Sequence, residues 1–440
     1  MGYESLLIFP LLLFLIFIGF PVAFAMMASA FIFGLFTFGP AFLQQAAEKI
    51  EDSASNFVLA AVPLFVFMGS MMERSGIAER LFEAIHLWTR RLPGGLAIGT
   101  VVMCIIFAAS SGVVGATETV IGLLAIPVMM KHKYNKELIV GVICAGGSLG
   151  TIIPPSVVAV VMGPLAGVSV GDLLIGMVFP GLIMAGLYIA YIFVLCIVYP
   201  KAGPRIPRNP DEPPLAEKLR ITAGALVPPM FLIFAVLGSI MLGWAGPTEA
   251  AGVGAFGSVL LAIFYRRFRW ALFHEALLKT LAISAMIMAI LFCGNLMTGA
   301  FVGSGGISAT QSLIAALALD KWGVLLLVLL LAFVAGFFLD WISIVLILVP
   351  IFAPLLKAAG VDMVWFCICL LVVIQTSYIS PPMAPAIFYF RAISPPEITT
   401  MHMYRGVMPF MALQLLTLAI LLMWPGTVTW LPKEMLALPK

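Results

Sequence analysis

The chain has 440 residues, of which 63% are hydrophobic and only 10% charged, with a formal net charge of +3. A soluble domain carries about 25% charged residues, so this composition specifies a polytopic membrane protein, and so small a charge implies no nucleic-acid partner. The six cysteines, Cys104, Cys144, Cys196, Cys293, Cys367 and Cys369, all fall in apolar segments, and Cys367-Ile368-Cys369 lacks the spacing of a metal clamp or a redox pair.

Residues 5–38 are almost continuously apolar, interrupted at Gly19-Phe20-Pro21. As one helix they would be about 51 Å long at roughly 1.5 Å per residue, against a hydrocarbon core of about 30 Å. They form either one long kinked helix or a tight pair. No basic n-region or clear cleavage site marks a signal peptide. Glu48, Lys49, Glu51 and Asp52 read as a loop outside the membrane, after which 58–72 re-enters. In 73–91, charged residues alternate with Ile77, Leu81, Ile85 and Leu87. This is either a helix lying flat in the interface or an ordinary solvated loop helix.

Residues 96–130 carry one charge, Glu118, and are broken at Ala108-Ala109-Ser110-Ser111-Gly112. Arg90 and Arg91 precede them, and Lys131, Lys133 and Lys136 follow. The positive-inside rule wants both ends in the cytoplasm. A re-entrant hairpin turning at Ser110-Ser111-Gly112 meets that demand, as do two full helices if each spans.

The apolar stretch 138–166 contains Gly146-Gly147-Ser148-Leu149-Gly150-Thr151-Ile152-Ile153-Pro154-Pro155-Ser156. Two prolines remove two backbone donors, and the glycines loosen the chain further. A broken helix survives in lipid only where its freed backbone groups face protein or a water-filled cavity. The segment therefore reads as two half-helices meeting at mid-membrane, offering backbone groups to an ion or solute. The plainer alternative is a proline kink with no ligand.

Residues 172–199 read as a plain span. Lys201, Arg205, Arg208, Lys218, Arg220 and a run of prolines then make a cytoplasmic linker. Spans follow at 221–242 and 250–264, Tyr265-Arg266-Arg267-Phe268-Arg269 returns the chain to the cytoplasm, and 278–302 crosses outward. Residues 322–356 mirror the first hairpin, turning near Gly336-Phe337-Phe338-Leu339-Asp340. A second break, Ile374-Gln375-Thr376-Ser377-Tyr378-Ile379-Ser380-Pro381-Pro382, lies within 363–391. The last span, near 407–424, leaves a short tail outside.

A displacement of 227 residues superposes Pro154-Pro155 on Pro381-Pro382 and Pro127 on Pro354. Counting crossings, the first hairpin starts and ends inside and the second outside. Similar sequence in opposite orientation marks an inverted repeat, and paired broken helices point to a secondary-transporter site. The expectation is an all-α polytopic membrane protein, an inverted repeat with two re-entrant helical hairpins and two broken helices. Its divisions are 1–91 (scaffold helices and interfacial arm), 92–199 (first hairpin and broken helix), 200–220 (linker), 221–320 (scaffold and arm), 321–424 (second hairpin and broken helix) and 425–440 (tail).

Few polar residues lie deep. Asp340 is costly in lipid and must face a cavity or a partner, or else cap its own hairpin. Glu118 binds a cation or pairs with a basic residue. Ser148, Thr151 and Ser156 in the first break, and Gln375, Thr376, Ser377 and Ser380 in the second, are hard oxygen donors suited with backbone carbonyls to an alkali cation. His86, His132, His274 and His402 stand alone beside charged loops. No P-loop is present, and no Ser/His/Asp or Cys/His constellation suggests an enzyme. An ion channel and a stand-alone sodium–anion symporter are the competing readings.

Gly19-Phe20-Pro21-Val22-Ala23-Phe24, Val62-Pro63-Leu64-Phe65-Val66-Phe67-Met68-Gly69, residues 146–156, Phe338-Leu339-Asp340-Trp341 and Ser380-Pro381-Pro382 together resemble the large membrane subunit of tripartite ATP-independent periplasmic (TRAP) transporters. The resemblance covers essentially the whole chain. It implies an elevator-type transporter of the bacterial inner membrane, with sodium as coupling ion and no other cofactor. Its partners would be a periplasmic solute-binding protein and a separate small membrane subunit of about four helices, and its solute a small organic anion bearing a carboxylate. By the same resemblance, Ser110, Ser111, Gly112, Gly147, Thr151 and Pro154 frame one sodium site, and Gly336, Asp340, Thr376, Ser377 and Pro381 the other. The solute lies between the hairpin tips, with Ser110, Glu118, Ser148, Ser156, Gln375 and Ser380 as candidate contacts. Glu118 falls where the family would have a small residue.

Overall fold

The computed structural model describes residues 4–111, 115–206, 213–381 and 384–437. Among them every regular element is a helix, and seven helical stretches are long and apolar enough to cross a membrane. Pro382 of the second break and residues 207–212 of the linker lie outside the described residues.

The first apolar stretch resolves into two helices, α1 (Ile8–Ile18) and α2 (Val22–Phe38). Gly19 ends α1 at φ 104°, a conformation open to glycine, and Pro21 caps α2. The expected loop at 48–52 is instead part of α3 (Ala41–Ala54). Alanine, glutamine, glutamate and lysine are good helix formers, and Phe42, Ala46 and Ser53 give that helix a buried side. After α4 (Ala61–Arg74), the chain turns at Gly76 (φ 70°) into α5 (Ile77–Thr89). The amphipathic segment thus begins at Ile77, and Glu73 and Arg74 belong to α4.

The first hairpin is α6 (Gly95–Ser111) and α7 (Ala116–Lys131). The first broken helix is α8 (Lys136–Ser148), a 3-10 turn (Leu149–Thr151) and α9 (Val157–Ala166). The plain span starts earlier than expected, as α10 (Val170–Gly176) running on into α11 (Val178–Val198). Then come α12 (Leu215–Met241), α13 (Pro247–Phe264) and the 34-residue α14 (Trp270–Gly303). A short helix whose bounds the sequence did not suggest, α15 (Gly306–Ala316), lies within the stretch expected to hold the second arm and leads to the second hairpin, α16 (Lys321–Ala335) and α17 (Trp341–Ala358). The second broken helix is α18 (Met363–Ile379) and α19 (Pro385–Ile393). The last span is α20 (Thr400–Met423), and the tail folds as α21 (Gly426–Ala437) rather than a loop.

The 227-residue displacement holds through the elements. It carries Lys136, where α8 starts, onto Met363, where α18 starts, and Thr89 at the end of α5 onto Ala316 at the end of α15. The short helix α15 is therefore the second half's version of the arm helix α5.

Two bundles meet in the molecule. In one, α2 and α4 pack against α14, α4 also against α13, and α13 against α12. In the other, the broken helices α8 and α18 pack against the hairpins and α20. Every residue from Leu138 to Ser148 is buried, as is nearly all of α18. A helix apolar all round belongs in the middle of a bundle. Helix α14 touches α17 and joins the two groups.

Small residues set the closest approach. A Cβ on Gly406 of α20 would strike the Glu137 carbonyl, and one on Gly141 of α8 would strike the Gly406 carbonyl. The two backbones lie against each other there, as small residues permit in membrane interiors. At the ends of the bundles, Lys279 of α14 pairs with Glu73 of α4, and Arg405 of α20 with Glu137 at 3.8 Å.

The arm helix α5 carries His86, which is not isolated as expected. Its ring stacks on Phe82 with centroids 5.2 Å apart, and His132 and Arg90 lie near enough to repel its proton. Burial first, and those two charges second, push its pKa down to about 4. An unfolded histidine takes its proton near pH 6.5. Between the two values the unfolded chain holds the extra proton, so this residue's contribution is intact above about pH 6.5 and is lost toward pH 4.

Two measurements on detergent-solubilised protein check these points. Gly406→Leu should lower the thermal midpoint by an amount equivalent to about 1–3 kcal/mol of overpacking. Gly186→Leu, where a Cβ meets nothing within 4 Å, should leave it unchanged. The thermal midpoint should fall as the pH drops from 6.5 to 4, and His86→Phe should flatten that slope.

Candidate functional site

The breaks are built from hydroxyl side chains turned back on their own backbone. In the first, Ser148 Oγ donates to the Ala145 carbonyl at 2.8 Å, Thr151 Oγ1 to Ser148 at 2.9 Å, and Ser156 Oγ to Thr151 at 3.0 Å. In the second, Thr376 Oγ1 donates to Val372 at 2.8 Å and Ser380 Oγ to Ser377 at 3.1 Å. Ser110, near the first hairpin tip, donates to Phe107 at 2.8 Å. The prolines and glycines stop the helices, and these hydroxyls keep their hydrogens bonded to nearby backbone carbonyls in an apolar interior.

The two breaks are tied together. Gln375 Nε2 donates to Ser148 Oγ at 3.0 Å. These residues are 227 apart and so correspond to each other in the two halves. Gln414 Nε2 of α20 also reaches Ser148 Oγ, at 3.3 Å. All three side chains are fully buried.

A cavity of about 600 Å³ opens where the second hairpin and second broken helix meet α2 and α14. Gly336, Asp340 and Ser377, three of the residues expected at the second cation site, line it. Gly336 lies so close to Ser377 that a Cβ would overlap it. The walls also include Phe24, Trp341, Tyr378 and Tyr389. Asp340 is the one carboxylate among the lining residues, and no lysine, arginine or histidine joins it there. The start of α17 at Trp341 and the start of α19 at Pro385 both border the space. Two helix N-termini, each a partial positive charge, therefore face the same cavity.

Asp340 caps α17. Its Oδ2 accepts from the Ile342 N–H at 3.2 Å and its Oδ1 from the Ser343 hydroxyl. Both capping and facing a cavity, the sequence's two alternatives, therefore apply to it.

The other expected residues do not line this cavity. Ser110, Glu118, Gly147, Ser148, Thr151, Pro154, Ser156, Gln375, Thr376 and Ser380 are buried behind it or in the first break. Pro381 is partly exposed outside it. Gly112 and the side chain of Ser111 lie outside the described residues. Among the described residues Glu118 forms no ion pair with a basic residue, and it accepts the Gly115 N–H at 2.6 Å. The aromatic walls received no role from the sequence. No cluster of three or more His, Cys, Asp or Glu that would hold a transition metal occurs among the described residues.

Residues 9–427 match the family model described as "Tripartite ATP-independent periplasmic transporter, DctM component". The chain belongs to the DctM family. It is accordingly a transporter subunit, not an enzyme, and a multi-pass protein of the bacterial inner membrane. The C4-dicarboxylate TRAP transporter large permease DctM of Pseudomonas aeruginosa is 32% identical over 403 residues, 91% of each chain. The isethionate TRAP transporter permease DctMQ of Oleidesulfovibrio alaskensis is 30% identical over 384 residues, 86% of this chain and 58% of that one. Among solved structures, the YdaH transporter of Alcanivorax borkumensis superposes with a TM-score of 0.65 over 97% of this chain and 99% of that chain, at 15% identity. At that identity the likeness is one of fold.

For this DctM component the double role of Asp340 is separable. Asp340→Asn keeps an N-cap acceptor and should unfold within about 0.5 kcal/mol of the parent, whereas Asp340→Ala should cost about 1 kcal/mol. Thermal unfolding of the two purified variants measures the difference.

Proposed function

We propose that this subunit imports a small organic anion, a carboxylate foremost, using a sodium gradient and an elevator movement. The solute arrives on a periplasmic binding protein, and a small four-helix membrane subunit works beside this chain.

The observation that carries the reading is the charge of the cavity. Two helix N-termini attract an anion, but among the described lining residues the one acidic side chain is Asp340, whose carboxylate repels it. An anion is held well only when a cation neutralises that carboxylate. Such a requirement couples solute to cation without any fixed arginine. Sodium suits the donors on offer, which are hydroxyls, carbonyls and carboxylate oxygens rather than thiolates or imidazoles. On this reading one ion sits among Ser110, Ser111, Gly112, Gly147, Thr151 and Pro154. The other sits among Gly336, Asp340, Thr376, Ser377 and Pro381.

The elevator reading is supported by where the cavity lies. One wall belongs to the hairpin and broken helix, the other to α2 and α14, so sliding one bundle along the other would carry the site across. Gly294 of α14, beside Leu346 of α17, leaves that seam smooth. The named cargoes of the relatives, C4-dicarboxylate and isethionate, support an anionic solute. The isethionate relative is named DctMQ and this chain covers 58% of it, as expected of a large and a small permease joined in one chain.

The test is uptake by proteoliposomes holding this chain and the small subunit encoded beside it, with radiolabelled succinate preloaded on the cognate binding protein. Uptake should be at least tenfold faster with an inward sodium gradient than in potassium-only buffer. Equal rates in the two buffers would reject sodium coupling, and equal rates without the binding protein would reject the tripartite scheme.

A further inference from the structure

Glu118 is the third residue of α7, and its two carboxyl oxygens have different surroundings. Oε2 accepts the Gly115 N–H at 2.6 Å and closes the helix start. Oε1 is buried and has no hydrogen-bond partner among the described residues. The side chain lies against the first break, where a Cβ on Gly147 would overlap Cγ and the carboxyl carbon and stand 2.8 Å from Oε1. The Tyr378 hydroxyl of α18, from the other half of the molecule, approaches the same carboxyl, and it too is buried without a geometric partner. No ion pair joins Glu118 to a basic side chain among the described residues. The adjoining tip, Gly112-Val113-Val114, brings none by sequence.

Capping explains one oxygen only. A serine, asparagine or glutamine would close the helix without carrying a carboxylate into a fully buried position. A buried carboxylate needs a positive partner, and the protein supplies none here. What does stand beside the bare oxygen is Gly147 of the first break.

We propose that Oε1 of Glu118 is a direct ligand of the cation bound at the first break, with the Tyr378 hydroxyl as its neighbour. The inference rests on the sodium reading above and adds a full negative charge to a site otherwise made of neutral oxygens. The bound ion then joins the tip of the first hairpin to the broken helix of the second half. It also follows that Gly147 is small because the carboxylate occupies the space a side chain would fill.

Purified full-length protein in nanodiscs provides a readout that is independent of transport. Its thermal midpoint is followed as sodium chloride replaces choline chloride at constant ionic strength, since a ligand that binds the folded state raises the midpoint saturably. Glu118→Gln retains an oxygen to accept the Gly115 N–H and removes only the charge. It should fold as well as the parent in choline and need at least tenfold more sodium for half the shift. Tyr378→Phe, which keeps the ring, should need about threefold more. A parental sodium midpoint in Glu118→Gln would overturn the proposal and leave the carboxyl as a cap. Should Glu118→Gln fail to fold, a parental midpoint in Tyr378→Phe overturns it. Absence of any sodium-induced shift in the parent would instead remove the sodium reading itself.

Discussion

A helix interrupted inside an apolar bundle leaves carbonyls and N–H groups that water cannot reach, and the rest of this structure answers that constraint. Ser110, Ser148, Thr151, Ser156, Thr376 and Ser380 each donate their hydroxyl hydrogen to a carbonyl three to five residues away. A hydroxyl committed in that way still carries two acceptor lone pairs. The atom that holds a break together therefore keeps acceptor capacity for the cation proposed above. The same economy appears at Asp340, which caps α17 and still faces the cavity.

Charge is the second organising quantity. The membrane interior contains two carboxylates near the breaks, Glu118 and Asp340, and among the described residues neither is paired with a basic side chain. Basic residues lie instead at the ends of elements, as in the pairs formed by Lys279 with Glu73 and Arg405 with Glu137. An interior so arranged is not electrically complete as a bare polypeptide. On the function proposed above, a cation would supply the missing charge before an anion is held.

Much of this was legible in the chain itself. Proline pairs and glycine runs are strong local signals, so both breaks and both hairpins are recognisable, and the 227-residue displacement extends to individual helix starts. Helix α3 was missed because charge was taken as a sign of loop, although Glu48, Lys49 and Glu51 sit comfortably on the outer side of a helix whose inner side is Phe42 and Ala46. The bounds of helix α15 were missed because 306–316 is too short and too weakly patterned to stand out. The cavity walls were beyond sequence reach for a different reason. Phe24, Trp341 and Tyr389 come from three separate elements, and no local pattern tells which aromatic rings will share a wall.

The bond between Gln375 and Ser148 joins residues that occupy the same place in the two halves. Any such pair that touches its counterpart lies on the approximate twofold axis. In a dimer of two identical half-length chains, that position would confront its own copy, serine against serine or glutamine against glutamine. A short side chain meeting a long one requires the halves to differ. Because both halves lie in one chain, serine can stand on one side of that contact and glutamine on the other, and the fit at the centre of the molecule uses that difference.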